Sequence, residues 1–316
     1  MTGHPKAAVC VLGTGLIGGS VLRAAAAAGY EAWGYNRSAA GSKSARADGF
    51  DVTSDVEAVL RRAAERDAII VIGVPMPALD TVLSDVKSFA PDCVLTDVVS
   101  VKAPVAEAVH RHELGAHFVG GHPMAGTSES GWAASAPDLF EDAAWALSVD
   151  AGVRAEPWTR VARLALDCGA VVVPVLSDEH DRAVARISHL PHVLAEALAI
   201  QGAAGGNLAL GLAAGSFRDG TRVAATAPEL VRAICEPNAA ALLEVLQDTL
   251  RVLGAARDTL RDSGDIADLT AAGHSARVDY DDNQRWAITG IRPGDHDWLD
   301  QLADAGRRGG VLKTLD

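Results

Sequence analysis

A chain of 316 residues has room for two ordinary domains, and 28 lysine plus arginine against 41 aspartate plus glutamate give it a net charge of −13. That acidity repels phosphate backbones and anionic lipid, which excludes a general nucleic-acid or membrane-surface role. Hydrophobic residues at 49% and charged residues at 22% exclude a disordered chain, and aromatics at only 4% predict an aliphatic core.

Residues 1–6 lack the apolar run of a secretion signal, and no later stretch is apolar for the length of a membrane span, so a cytoplasmic protein is expected. Residues 7–12 (AAVCVL) form a short apolar run stopped by Gly13 and predict a first strand; residues 31–35 (EAWGY) predict a second. Residues 68–74 and 93–98 lack polar alternation, as central parallel strands do. Shorter candidates follow at 117–119, 144–149 and 170–175, with Ala- and Arg-rich helical stretches between them. The order predicts an α/β domain over residues 1–176, a Rossmann-type doubly wound parallel sheet.

From Ser177 onward β-branched runs vanish, which predicts an all-α domain over residues 177–316. Ser177 reads as a helix N-cap followed by Asp178 and Glu179, where the helix dipole favours acids. That helix is expected to reach about Ile200, to kink at Pro191 and to end in the glycines between Gly202 and Gly206. Leu243, Leu246, Leu250, Leu253 and Leu260 share one stripe after a candidate cap at Asn238, either packed inside the helical domain or forming a subunit interface. Residues 289–316 read as a loosely packed tail. Cys10, Cys93, Cys168 and Cys235 lie far apart without metal-ligand spacing and read as buried free thiols, so neither a disulfide nor a bound metal is expected.

Residues 9–20 (VCVLGTGLIGGS) set Gly13, Gly15 and Gly18 in GxGxxG register, with Thr14, Leu16 and Ile17 between them, at a strand-to-helix turn. Gly13 permits the turn, Gly15 admits a pyrophosphate to the backbone and Gly18 lets helix and strand approach, so a dinucleotide site is expected. An acid that binds a ribose 2′-hydroxyl belongs at the end of the second strand. Here Asn36, Arg37 and Ser38 offer donors and positive charge instead, which leans towards NADP over NAD. The alternative is that Arg37 stacks on adenine while NAD is used.

Residues 120–132 (GGHPMAGTSESGW) hold His122 in a rigid Gly/Pro-rich loop at a strand end, where open α/β sheets bind ligands. Ser100 leaves the preceding strand at the same edge, as a site hydroxyl or as the cap of the next helix. Ser188, His189 and His192 share a helix face; no acid or cysteine follows at ligand spacing, and His189 reads equally as a satisfied core histidine. An acidic protein that binds an anion needs local positive charge, which Arg218 and Arg222 supply unless they serve a surface ion pair.

GxGLIGGS, DxxSVK, GGHPMAGT, EHDxxxAxxSHLPH and SFRDxTR occur in that order, and together they resemble the prephenate/arogenate dehydrogenase family of tyrosine biosynthesis. The resemblance covers about residues 9–223. It implies a Rossmann domain, a helical dimerisation domain and a homodimer. The activity implied is oxidative decarboxylation of prephenate to 4-hydroxyphenylpyruvate, or of arogenate to tyrosine. The C4 hydroxyl gives up its proton, hydride leaves C4 for the nicotinamide and the C1 carboxylate leaves as carbon dioxide.

By this resemblance His122 is the base, Ser100 contacts the same C4 hydroxyl, Arg222 grips a substrate carboxylate, and His192 assists from the pocket wall. Departures are Val98 and Val99 before Ser100, where a small residue is common, and Ser128 where relatives carry a gating glutamate, with Glu129 adjacent, so the gating partner of Asp219 is left open. A β-hydroxyacid dehydrogenase, the alternative two-domain enzyme, uses a lysine from its helical half, yet none occurs between Ser177 and Leu312. A catalytically silent dinucleotide sensor is the remaining alternative.

Overall fold

The computed structural model describes residues 7–127 and 129–315; the expectations placed on residues 1–6, Ser128 and Asp316 lie outside the described residues. Strands β1 (Val9–Leu12), β2 (Ala32–Tyr35), β3 (Val52–Thr53), β4 (Ile69–Ile72), β5 (Val94–Asp97) and β6 (Phe118–Val119) form one parallel sheet in the order β3-β2-β1-β4-β5-β6. The crossovers are helices α1 (Leu16–Ala27), α2 (Ala39–Ala47), α3 (Val56–Glu65), α4 (Leu79–Phe89) and α5 (Ala103–Arg111). This is the doubly wound dinucleotide-binding order.

Both faces of the central strands are covered, so β1, β4 and β5 are buried at every position. Successive residues serve opposite layers: Val9, Val11, Ile69 and Val71 join one core, and Cys10, Leu12, Ile70 and Ile72 the other. The register aligns Leu12 with Tyr35 and Ile72, and Ile72 with Asp97. The turns after β1, β2 and β5 therefore leave the sheet at one edge.

Residues 144–149 and 170–175 do not extend this sheet. A second sheet joins β7 (Gly121–Pro123), β8 (Ala144–Ser148) and β9 (Val171–Val175), with β7 antiparallel and β9 parallel to β8, and α6 (Ala155–Asp167) crossing between β8 and β9. His122 thus lies within a strand, not in a loop. Sparse aromatics do not make the core purely aliphatic. Five of the six tryptophans, Trp33, Trp132, Trp145, Trp158 and Trp298, are buried. All four cysteines are buried free thiols, and burial pushes the Cys93 thiol up to about 11.

The chain forms two compact units, one of residues 1–180 with 287–316 and one of residues 181–286, so the division expected at 176/177 needs correction at its far end. The tail is not loose and not part of the helical domain. Its helix Trp298–Arg307 buries Trp298, Leu302, Ala303 and Ala305 in the first unit's core, and Val172 and Leu312 exchange backbone hydrogen bonds of 3.0 and 2.8 Å.

The second unit takes in the end of α7 (Ser177–Val184), a π turn over Ala185–His189, then α8 (Leu190–Ala204), α9 (Gly206–Leu212), α10 (Gly215–Thr221), α11 (Pro228–Cys235), α12 (Ala239–Ser263) and α13 (Ala267–Asp282). The π turn stands where a kink is expected: Pro191 has no N–H for the Ile187 carbonyl, and the helix rewinds ahead of it. Ser177 does not cap α7. Its amide and hydroxyl both donate to Asp150, at 2.9 and 2.5 Å, and Asp150 does the capping. Asn238 stands at the N-cap position of α12 but makes no side-chain cap bond. Leu243, Leu250, Leu253 and Leu260 are 47–59% exposed, so the leucine stripe is not buried in its own domain. Among the described residues no single helix is long and apolar enough to cross a membrane.

Candidate active site

Gly13 has φ +101°, and a Cβ there would lie 2.6 Å from the Gly73 carbonyl oxygen, so only glycine fits. A Cβ on Gly18 would stand 2.0 Å from the Gly13 oxygen, which fixes how closely α1 lies on its strand. At Gly15 a Cβ would meet no atom within 4 Å. Gly15 is also the N-cap of α1, which has no side-chain cap and no acid in its first turn. The opening amides, including those of Leu16 and Ile17, are thus left for an anion at the positive end of the helix, which fits a dinucleotide pyrophosphate.

The ribose end differs in detail from expectation. Thr14 is fully buried and its hydroxyl accepts from Asn36 Nδ2 at 2.9 Å, so Thr14 braces the turn internally. Asn36 Oδ1 accepts from the Ser38 amide at 2.9 Å, and Ser38 Oγ accepts from the Gly41 amide at 3.3 Å as the cap of α2. Asn36 and Ser38 are engaged in building the turn, while Arg37 is exposed and has no partner among the described residues.

Past β5 the chain turns sharply. Asp97 and Lys102 are completely buried and form an ion pair around the loop that contains Ser100. The Val99 amide donates to Asp97 at 2.8 Å, and the Gly121 amide, one residue before His122, donates to it at 3.2 Å. Burial pushes the Asp97 carboxyl up, against the pull of the Lys102 ammonium and these two amides. Ser100 is half-buried without a partner among the described residues, and it does not cap α5, whose N-cap is Lys102. Val98 packs into one core cluster and the half-buried Val99 against the other.

His122 Nδ1 lies 2.9 Å from His180 Nε2, with the rings edge to face at 5.1 Å. One proton serves that contact. If His122 donates it from Nδ1, its Nε2 carries the lone pair that a base needs; if His180 donates it, a neutral His122 carries hydrogen on Nε2 and cannot act as a base. His180 therefore sets the tautomer. Sequence reasoning assigned no role to His180, Asp97 or Lys102, although all three lie inside the quoted motifs. Charged residues at an apolar strand's end were the signal.

In the second unit His189 is fully buried. Asn238 Nδ2 donates to its Nδ1 at 3.1 Å and to the Asp181 carbonyl at 2.7 Å. His189 ties the π turn to the start of α12, as the core-histidine alternative expects. His192 is half-buried with an unpartnered, buried Nδ1, and Ser188 sits half-buried in the π turn. Arg222 is exposed with no ion pair among the described residues, and Arg218 only reaches Asp219 at 4.0 Å. Glu129 is exposed. No cluster of three or more metal-ligating side chains occurs among the described residues.

Residues 22–174 match the family profile of the prephenate dehydrogenase nucleotide-binding domain, and residues 176–272 that of the prephenate dehydrogenase dimerization domain. The chain is 32% identical to a Zymomonas mobilis cyclohexadienyl dehydrogenase over 249 residues, 75% of this chain and 83% of that one. A Corynebacterium glutamicum crystal structure, described as a candidate prephenate dehydrogenase, shares 45% identity with a TM-score of 0.92 and covers 98% of this chain and 99% of its own. Synechocystis arogenate dehydrogenase shares 29% identity with a TM-score of 0.73, over 86% of this chain and 99% of its own.

Proposed function

Because the chain belongs to the prephenate dehydrogenase family, we propose that it oxidises and decarboxylates prephenate or arogenate with NAD(P). The observation that carries this reading is the His122–His180 contact of 2.9 Å, in the same unit as a glycine turn that leaves the opening amides of α1 for a pyrophosphate. His122 Nε2 takes the proton of the ring C4 hydroxyl, while Nδ1–H rests on His180. The Ser100 hydroxyl, with no helix to cap, hydrogen-bonds the same oxygen and orients it. Arg222 pairs a substrate carboxylate through its planar fork, with Arg218 adding charge and His192 a hydrogen bond. When bound, the nicotinamide supplies the two-electron acceptor for the hydrogen lost from C4.

NADP is the preferred cofactor on this reading. Asn36, Arg37 and Ser38 follow β2 with no carboxylate among them to repel a 2′-phosphate, and Arg37 is exposed and unpaired among the described residues. The helical unit, matched by a dimerization-domain profile, pairs two copies into a homodimer. The test is to mix purified protein with prephenate or arogenate and each oxidised cofactor, and to follow formation of reduced nicotinamide. Turnover with a higher kcat/KM for NADP is expected. A strong NAD preference removes the cofactor assignment, and absence of turnover with either substrate leaves only a dinucleotide-binding protein.

A further inference from the structure

Asp97 and Lys102 are 0% and 1% exposed beside a sheet core of apolar side chains. Taking two charges out of water costs more than packing two apolar side chains there, so such a pair needs a reason beyond stability. Its contacts supply one. The Asp97 carboxylate receives the Val99 amide inside the loop and, at 3.2 Å, the Gly121 amide of β7. Lys102 Nζ closes the loop onto Asp97 and donates to the Gly121 carbonyl at 2.5 Å. One ion pair thus holds both ends of the loop containing Ser100 and both polar groups of Gly121, next to His122.

We infer that Asp97 and Lys102 are positioning residues, which hold the Ser100 hydroxyl and the His122 imidazole in register for the same substrate oxygen. The inference rests on the reading of His122 as base and Ser100 as its partner. It assigns the pair no contact with substrate or cofactor. Two apolar residues of equal volume would fill the space but leave the Gly121 peptide and the loop untied, and a shift of about 1 Å in a reacting group costs on the order of 10²-fold in rate.

The experiment compares Asp97→Asn, Lys102→Met, the double variant Asp97→Asn/Lys102→Met and His122→Asn, at a temperature where circular dichroism shows each folded. Lys102→Met has the lowest Tm, because it strands a buried carboxylate; the double variant, with no buried charge left, recovers much of the loss. The Val99 and Gly121 amides use different Asp97 oxygens, so Asp97→Asn keeps an acceptor for only one of them, and it carries the comparison should Lys102→Met not fold. All three variants of the pair are expected to lose about tenfold or more in kcat, with the cofactor KM within about twofold because the glycine turn is untouched. Activity that stays low while Tm returns separates positioning from stability.

A double variant, or a folded Asp97→Asn, with kcat within about twofold of the parent overturns the inference. If His122→Asn is inactive in that same assay, the base assignment survives and only the positioning role falls. If His122→Asn keeps its turnover, the base assignment itself is wrong.

Discussion

On the proposed reading, the placement of one hydrogen at His122 separates an active base from an inert ring. Its Nδ1 faces His180 Nε2 at 2.9 Å, so the useful state has His180 as acceptor. His122→Asn is expected to lower kcat by ~10²–10⁴, the usual worth of a positioned base, with cofactor affinity unchanged in a binding titration. His180→Gln still offers an oxygen acceptor and should lose less than His180→Leu, which leaves Nδ1–H unsupported. A His180→Leu variant with the parent's kcat excludes His180 from setting the tautomer. On the proposed reading Arg222 acts on binding more than on chemistry, and Arg222→Gln is expected to raise the substrate KM with little change in kcat. An unchanged KM removes it from the carboxylate role.

Between residue and whole molecule lies the anchoring of one element on another. The segment after β7 is fastened to the phosphate-binding helix: Ser20 Oγ accepts from the Ala136 amide at 3.0 Å, and Arg23 donates to Ser135 at 2.9 Å. The Arg23 guanidinium lies 4.1 Å from the Trp132 ring and pairs with Asp48 at 2.6 Å, while Trp132 Nε1 donates to the same carboxylate at 2.9 Å. The hydrogen bond from Arg23, then that from Trp132, holds the Asp48 carboxyl below its ordinary value. A group whose folded pKa is depressed adds stability above its unfolded value, about 4, and loses it as pH falls through the folded one. The fall of Tm with pH below about 4 should therefore be shallower in Asp48→Asn than in the parent. Parallel Tm–pH curves for the two proteins would exclude this contribution.

Very little of that clamp was legible in the sequence, because Arg23, Asp48 and Trp132 are far apart in the chain and belong to no periodic pattern. The turn at Gly13, Gly15 and Gly18 was legible, since backbone demands act over a few residues and select glycine directly. The central strands were legible too, as burial on both faces leaves an unbroken apolar run. β7 was not: three residues reading Gly-His-Pro carry no strand signal, and only pairing with β8 makes them one. His189 and His192 looked equivalent in sequence, and only the fold separates the fully buried ring bonded to Asn238 from the half-buried one.

For the molecule as a whole the question is what covers the leucine stripe of α12. Leu243, Leu246, Leu250 and Leu253 alternate three- and four-residue steps, and Leu260 follows seven later, the a/d spacing of a helix seam. Leu243, Leu250, Leu253 and Leu260 stay 47–59% exposed, and Ile200, Leu208 and Leu212 elsewhere in the helical unit are 65–75% exposed. Apolar area on that scale marks an association surface, and a seam that matches itself under a two-fold axis suits a second copy of the same chain. Leu250→Arg with Leu253→Asp puts opposite charges into the middle of that seam. Light scattering after size exclusion should then read one chain mass where the parent reads two. The first unit carries its own core, so cofactor affinity should persist in the resulting monomer. A double variant that keeps the parent's mass places the subunit contact elsewhere, and loss of cofactor binding together with the dimer shows that the first unit depends on assembly.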